Sequence, residues 1–188
     1  YRALVTGGTR GIGRAIAGAI ASAGGSVMIT GRDQKGLDAA VHSLGHEAGD
    51  PAKVGGIVAE MRDRAAVDRA VAETVKRFGA IDTLINNAGI GVFKDVESMS
   101  DDEWSRVIGT NLTGVFYACR AAVPEMKRAG SGWIINIASL AGRNYFATAG
   151  AYCASKAGLV AFSESLMLEV RESGIRVSVV MPGSVATE

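Results

Sequence analysis

Thr6-Gly7-Gly8-Thr9-Arg10-Gly11-Ile12-Gly13 is the stretch from which the rest of the chain can be read. The apolar run Ala3-Leu4-Val5 before it has strand character. Ile12, Ala15, Ile16, Ala19, Ile20 and Ala23 after it make an apolar stripe at helical spacing. The segment is therefore a glycine-rich turn from a strand into a helix. Gly7, Gly11 and Gly13 lack a Cβ, which lets backbone come close to a phosphate. The free N–H groups and dipole of a helix start then favour the negative charge. The spacing G-x-x-x-G-x-G, in place of the commoner G-x-G-x-x-G, points to a dinucleotide. On these eight residues alone, a tight turn with no ligand is the plainer alternative.

Outward from that turn, strands alternate with helices. Strands are expected at residues 27–30, 57–59, 83–86, 133–137 and 176–181. Helices are expected at 34–44, 63–78, 100–129 with a bend near Pro124, and 151–173. Residues 42–51 read as a polar loop. His42 and His46 within it have a spacing a metal could use, but no further ligand supports one and no metal is expected. Mostly apolar, β-branched strands separated by helices mean a doubly wound parallel sheet of α/β class, covered on both faces. Such sheets bind ligands beyond the carboxyl ends of their strands. The residues that stand there are Gly7 to Gly13, Asn86 to Gly89, Ser139, and Pro182-Gly183.

The totals agree with one domain over residues 1–188. Of its residues, 48% are hydrophobic and 21% charged, as in a globular chain. A net charge of +1 gives no electrostatic case for nucleic acid or an anionic membrane as partner. No apolar run approaches the ~20 residues of a membrane span. Cys119 and Cys153 have neither a metal spacing nor the numbers for a disulfide scaffold, so a cytoplasmic location is expected. The chain opens at Tyr1 and enters a strand at once, so residues are expected before it.

Tyr152 and Lys156 stand one turn apart on one helix face. A phenol ordinarily titrates near ~10 and is a poor acid at neutral pH. An ammonium beside it favours the phenolate, so the pair can donate or take a proton. Ser139, at a strand end, could hold a substrate oxygen beside the tyrosine. In isolation a Tyr and a Lys at this spacing usually carry no function.

Taken together and in order, the segments are specific. Thr6-Gly7 with Gly11-Ile12-Gly13, Asn86-Asn87-Ala88-Gly89, Asn111, Ser139, Tyr152-Cys153-Ala154-Ser155-Lys156 and Pro182-Gly183-Ser184-Val185-Ala186-Thr187 resemble the short-chain dehydrogenase/reductase family. The local flavour is similar to its 3-oxoacyl carrier-protein reductases and related alcohol or sugar dehydrogenases. The resemblance implies a Rossmann-type fold and an oxidoreductase moving hydride between a nicotinamide cofactor and a small-molecule carbonyl or secondary alcohol. It implies that Tyr152 exchanges the proton with the substrate oxygen and that Lys156 supports it and holds the nicotinamide ribose. Ser139 binds the substrate oxygen, and Asn111 holds a water linking Lys156 to solvent. Gly7, Thr9, Arg10, Gly11, Ile12 and Gly13 receive the phosphate side of the cofactor. Asn87, Ala88 and Gly89 line its adenosine side and steady the sheet. Pro182, Gly183, Val185 and Thr187 cover the nicotinamide.

There are departures from the family pattern. Glu60 stands where an Asp usually reaches the adenine, and Ala138 replaces the first Ser of a Ser-Ser pair. The family continues past residue 188 with a substrate-binding segment and a seventh strand, so a C-terminal part is expected to be absent here. An NAD enzyme needs an acid about 20 residues beyond the turn; here that place is Gly31. Asp33 reads as a helix cap, while Arg32 and Arg10 are placed to meet a 2′-phosphate. NADP (NADPH) is therefore the expected cofactor. The resemblance also implies a homodimer or homotetramer through the two long helices. The competing readings are a non-catalytic dinucleotide-binding regulator and a nucleotide-sugar epimerase or dehydratase.

Overall fold

Side chains alternate across a strand, and this chain uses the alternation to fill two cores. The structure, a computed structural model, describes residues 1–185. Strands β1 (Arg2–Val5), β2 (Ser26–Gly31), β3 (Val54–Val58), β4 (Thr83–Asn86), β5 (Gly132–Ile137) and β6 (Ile175–Val180) form one parallel sheet. Its order is β3-β2-β1-β4-β5-β6. Ala3, Val5, Val27, Ile29 and Ile85 point to one face. There they meet Ala17 and Ala21 of helix α1 (Gly11–Ser22), and Leu37, Ala40 and Leu44 of helix α2 (Gln34–Glu47). Leu4, Met28, Leu84 and Ile134 point to the other face. Against them pack α3 (Arg64–Phe78), α5 (Gly114–Ala129) and α6 (Gly150–Val170), through Val67, Val71, Ala118, Ala122, Leu159 and Leu166. The doubly wound, Rossmann-type sheet is thus present.

The chain winds from β1 outward to β3, then returns beside β1 to run β4 to β6. The carboxyl ends of β1 and β4 therefore flank the switch point, where such sheets open a crevice.

Three elements differ from the sequence reading. α2 runs to Glu47, so His42 and His46 lie on a helix and not in a loop. Leu37, Ala40 and Leu44 keep the buried stripe going, and Gly45 lets the helix pass Pro51, whose Cα would lie 3.2 Å from an added Cβ. β3 starts at Val54, three residues earlier than expected. Gly55 and Gly56 hide it in sequence, yet a Cβ on Gly56 would meet Val41 Cγ2 at 2.6 Å, so glycine is what lets α2 sit on this strand.

The third difference is the expected long helix at 100–129. It is two helices, α4 (Asp101–Ile108) and α5, joined by a π turn over Gly109–Thr113. A reciprocal cap between Ser100 and Glu103 starts α4 as the sequence indicates. Pro124 lies within α5 and does not mark the break. The break lies where tertiary contacts demand it. Gly114 sits on Met61, whose carbonyl oxygen would be 2.7 Å from an added Cβ, and Asn111 is bonded to Ile90. Among the described residues no helix is long and apolar enough to cross a membrane.

Candidate active site

The glycine-rich turn is held from beneath. Gly7 N–H donates to Thr30 Oγ1 at 3.1 Å and Gly8 N–H to the Thr30 carbonyl at 3.0 Å. Gly7 (φ 65°) and Gly11 (φ 57°) occupy the left-handed region that glycine adopts without cost. Asn87, at the exit of β4, clamps the turn by donating Nδ2 to the carbonyls of Thr6 (3.0 Å) and Gly7 (3.1 Å). Thr6 Oγ1 accepts from the N–H groups of Asn87 and Ala88. Helix α1 then starts with Arg10 at its N-cap, no side chain capping it and no acid in its first turn. Its first N–H groups are thus left for an anion. This donor set and the Cβ-free approach at Gly7 fit a dinucleotide pyrophosphate. Gly13 is buried and does not line the cleft: an added Cβ would fall 2.3 Å from Asn87 Nδ2 and 2.4 Å from the Gly7 carbonyl, so it packs the turn.

A cleft of about 940 Å³ runs from this turn to α6. Gly7, Thr9, Arg10, Gly11 and Ile12 line one end, with Gly31, Arg32 and Asp33 beside them. A Cβ at Gly31 would meet Thr9 Cγ2 at 2.6 Å, so a larger residue there must displace Thr9. Asp33 caps α2 by accepting from the Gly36 N–H at 2.7 Å. Arg10 and Arg32 are exposed, and among the described residues neither pairs with an acid. Glu60 also lines the cleft, but its Oε1 faces Arg62, accepting from the Arg62 N–H at 3.3 Å and lying 3.7 Å from Nε.

At the other end, Ser139, Tyr152 and Lys156 line the same cleft, with Ala88, Gly89, Pro182, Gly183 and Val185. Thr187 lies outside the described residues. Ser139 sits at the exit of β5 and accepts from the Ala141 N–H at 3.1 Å. Lys156 is buried, its Nζ donating to the Ile137 carbonyl at 2.8 Å and lying 5.8 Å from the Tyr152 ring centroid. Burial pushes its ammonium down to about 8. Gly89 stands here and not toward the adenosine end: an added Cβ would lie 3.3 Å from Asn111 Oδ1 and 3.6 Å from Lys156 Nζ. Asn111 is buried in the π turn. Its Oδ1 accepts from the Ile90 N–H, and its Nδ2 donates to the Ile90 carbonyl and to Ser155 Oγ, at 2.8, 2.8 and 3.0 Å. It therefore ties the loop after β4 to α6.

Sequence reasoning missed a buried polar ladder under the catalytic end. Asn86 Nδ2 donates to Asn136 Oδ1, and Asn136 Nδ2 to Ser163 Oγ, each at 2.8 Å. Asn86 also contacts Cys119, whose thiol burial pushes up to about 12. The signal was there: an Asn inside the apolar run of β5 must find a partner.

The family model of short chain dehydrogenases matches residues 1–188. The chain is a short-chain dehydrogenase. As a member of that oxidoreductase family it belongs with proteins that use a nicotinamide dinucleotide. The 3-oxoacyl-[acyl-carrier-protein] reductase FabG of Haemophilus influenzae is 42% identical over 186 residues, covering 99% of this chain and 74% of that protein. The D-threitol dehydrogenase of Mycolicibacterium smegmatis is 37% identical, with 99% and 70% covered. A crystal structure of a short-chain dehydrogenase from Streptomyces avermitilis superposes with a TM-score of 0.91 at 35% identity, covering 99% of this chain and 67% of that one.

Proposed function

We propose that this short-chain dehydrogenase is an NADP-dependent oxidoreductase of carbonyls and secondary alcohols, with 3-oxoacyl thioesters among its candidate substrates. The carrying observation is that the uncapped start of α1 and the Ser139, Tyr152 and Lys156 side chains line one cleft. In reduction Tyr152 gives its proton to the carbonyl oxygen; in oxidation it takes the alcohol proton. Ser139 holds that oxygen by a hydrogen bond. Lys156 brings a positive charge that favours the phenolate and a donor for the nicotinamide ribose. Burial lowers that ammonium to about 8, so at neutral pH it still carries most of its charge. The bound dinucleotide supplies the hydride. Asn111 positions the Gly89–Ile90 backbone and α6 through its amide; the relay water would sit beside it.

NADP in place of NAD is supported by Gly31, which offers no carboxylate, and by Arg10 and Arg32 free at the rim. Residues 1–188 then form one dinucleotide-binding unit that carries its own catalytic groups. Phe116, Met167 and Leu168 on α5 and α6 are 41%, 41% and 59% exposed, which supports a homodimer or homotetramer. Buried free cysteines Cys119 and Cys153 suit the reducing cytoplasm.

The test is an NADPH-oxidation screen of the full-length protein against β-ketoacyl thioesters, sugars, quinones and steroids. Turnover that depends on Tyr152 is expected. Tight NADPH binding with no turnover of any class would instead support a dinucleotide-binding regulator.

A further inference from the structure

Beside Tyr152 the cleft is lined by Phe93, and Phe146 packs against it outside the cleft. The Phe93 ring, on the loop after β4, lies 5.7 Å from the Tyr152 ring and 6.0 Å from that of Phe146, on the loop after β5. Phe93 and Phe146 are within 29° of parallel. Both remain open to solvent, 55% and 53% exposed.

The pair is held in place from behind. Lys94 N–H donates to the Thr148 carbonyl at 2.7 Å, joining the two loops. Thr148 has φ 65°, which among the described residues no other non-glycine shares, and a β-branched residue adopts that conformation at a cost. Phe93 lies down on Gly91, where a Cβ would be 2.8 Å from its Cζ. Two neighbouring charges are engaged elsewhere, Lys94 with Glu103 and Arg143 with Glu164. A ring that lines the cleft next to a reactive hydroxyl, on loops joined through a strained backbone position, forms a recognition surface.

We propose that Phe93 and Phe146 are a stacking platform that selects carbonyl substrates bearing a flat apolar ring: aryl or fused-ring ketones and the matching secondary alcohols. The inference rests on the reductase reading of Tyr152 and names its substrate class. Because the Phe93 and Tyr152 ring centroids are 5.7 Å apart, the stacked group must be attached close to the reacting carbon. A straight 3-oxoacyl chain offers no planar face, so it gains less from these rings than a flat ring does.

The experiment compares the full-length wild type with Phe93→Ala, Phe146→Ala and Phe93→Leu. Steady-state NADPH oxidation is measured with α-tetralone, a β-ketoacyl thioester and 2-butanone. Binding of α-tetralone to the enzyme–NADP⁺ complex is measured alongside by ligand-observed NMR, which needs no turnover. Expected is a higher kcat/KM for α-tetralone than for the other two. Each Ala variant loses about tenfold of it, mainly through KM, with 2-butanone within threefold of wild type. Phe93→Leu, which keeps apolar bulk without a π face, should lose nearly as much. A preference for the thioester, or Ala variants that weaken all three substrates equally, overturns the platform and leaves the reductase standing. Phe-dependent binding of α-tetralone with no turnover of any ketone overturns the reductase reading and keeps the platform. Absence of both refutes both.

Discussion

Gly7, Gly13 and Gly31 shape the dinucleotide end of the cleft by what they lack, whereas Asn111 and Ser155, bonded to each other, and Lys156, bonded to the Ile137 carbonyl, shape the catalytic end. The first end is a steric construction. Ala88 and the Asn87 amide at Gly7, the Asn87 amide and the Gly7 carbonyl at Gly13, and the Thr9 methyl at Gly31 fill the space where a Cβ would be, so a single methyl group is too much. The second end is an electrostatic one. A buried ammonium and a buried amide tolerate changes of shape better than loss of a partner. The two ends should therefore break in different ways: one by losing stability together with cofactor affinity, the other by losing rate.

The largest effect is expected at the catalytic end. Tyr152→Phe removes the proton donor with little change of volume, and the rate should fall by about 10²- to 10⁴-fold. NADPH affinity, followed by fluorescence titration, should stay within a few-fold. Retention of most of the rate would take Tyr152 out of its role. Lys156→Ala should lower both rate and affinity, and a change in binding alone would remove its part in proton exchange.

Next comes the charge on Lys156. Its folded-state value of about 8 lies below the ordinary 10.5. Below about pH 8 both folded and unfolded chains hold the proton, and the burial penalty is constant. Between about 8 and 10.5 the unfolded chain binds more proton, so this residue makes stability rise with pH, by up to about 3 kcal/mol. Denaturant melts of wild type and Lys156→Met across that window should diverge accordingly. Parallel curves would mean that the ammonium is solvated.

At the other end, Gly13→Ala drives a methyl group into Asn87 and the Gly7 carbonyl and should cost about 2 kcal/mol. Gly24→Ala is the control: its φ is 82° but nothing lies within 4 Å of the added Cβ, and the cost should be nearer 1 kcal/mol. Equal midpoints in urea would show that the turn yields more easily than its contacts indicate.

The smallest effect per residue is at the rim. Arg10→Ala and Arg32→Ala should each raise the Michaelis constant for NADPH by about tenfold, as loss of a charge-assisted hydrogen bond does. That for NADH should hardly move. Equal losses for both cofactors would mean that these arginines serve the shared pyrophosphate, and NADP would have to be withdrawn.

The sequence was most legible where chemistry and backbone demand coincide. Gly7, Gly11 and the strand exits at Asn87, Ser139 and Pro182 were readable because a parallel sheet can put a ligand in few other places. It was least legible where tertiary contact overrides a local pattern. The apolar stripe from Val107 through Val115 to Ala122 reads as one helix, and nothing local announces that Met61 and Ile90 will force a π turn into it. Gly13 looked like its neighbours, although it packs and they face the cleft. Gly55 and Gly56 mask the start of β3 because glycine has little strand propensity, and only the packing of Val41 and Leu37 on Gly56 shows why a side chain is missing there. Phe93 and Phe146 lie more than fifty residues apart, and only the fold shows that they stack.

The π turn at Gly109–Thr113 also fixes how this stretch can change in length. It holds one more residue than the α-helical hydrogen-bond ladder would. Deleting one of the five would let the ladder close as a continuous α-helix with α4 and α5 still nearly in phase, whereas deleting a residue from within either helix would rotate α4 by about 100° against α5. Val107, wholly buried, would turn out of its contact, and Asn111 would turn away from Ile90 and Ser155. Loss of one residue can therefore be absorbed at the π turn, but within α4 or α5 it should act on catalysis from a distance, as a phase error between two otherwise intact helices.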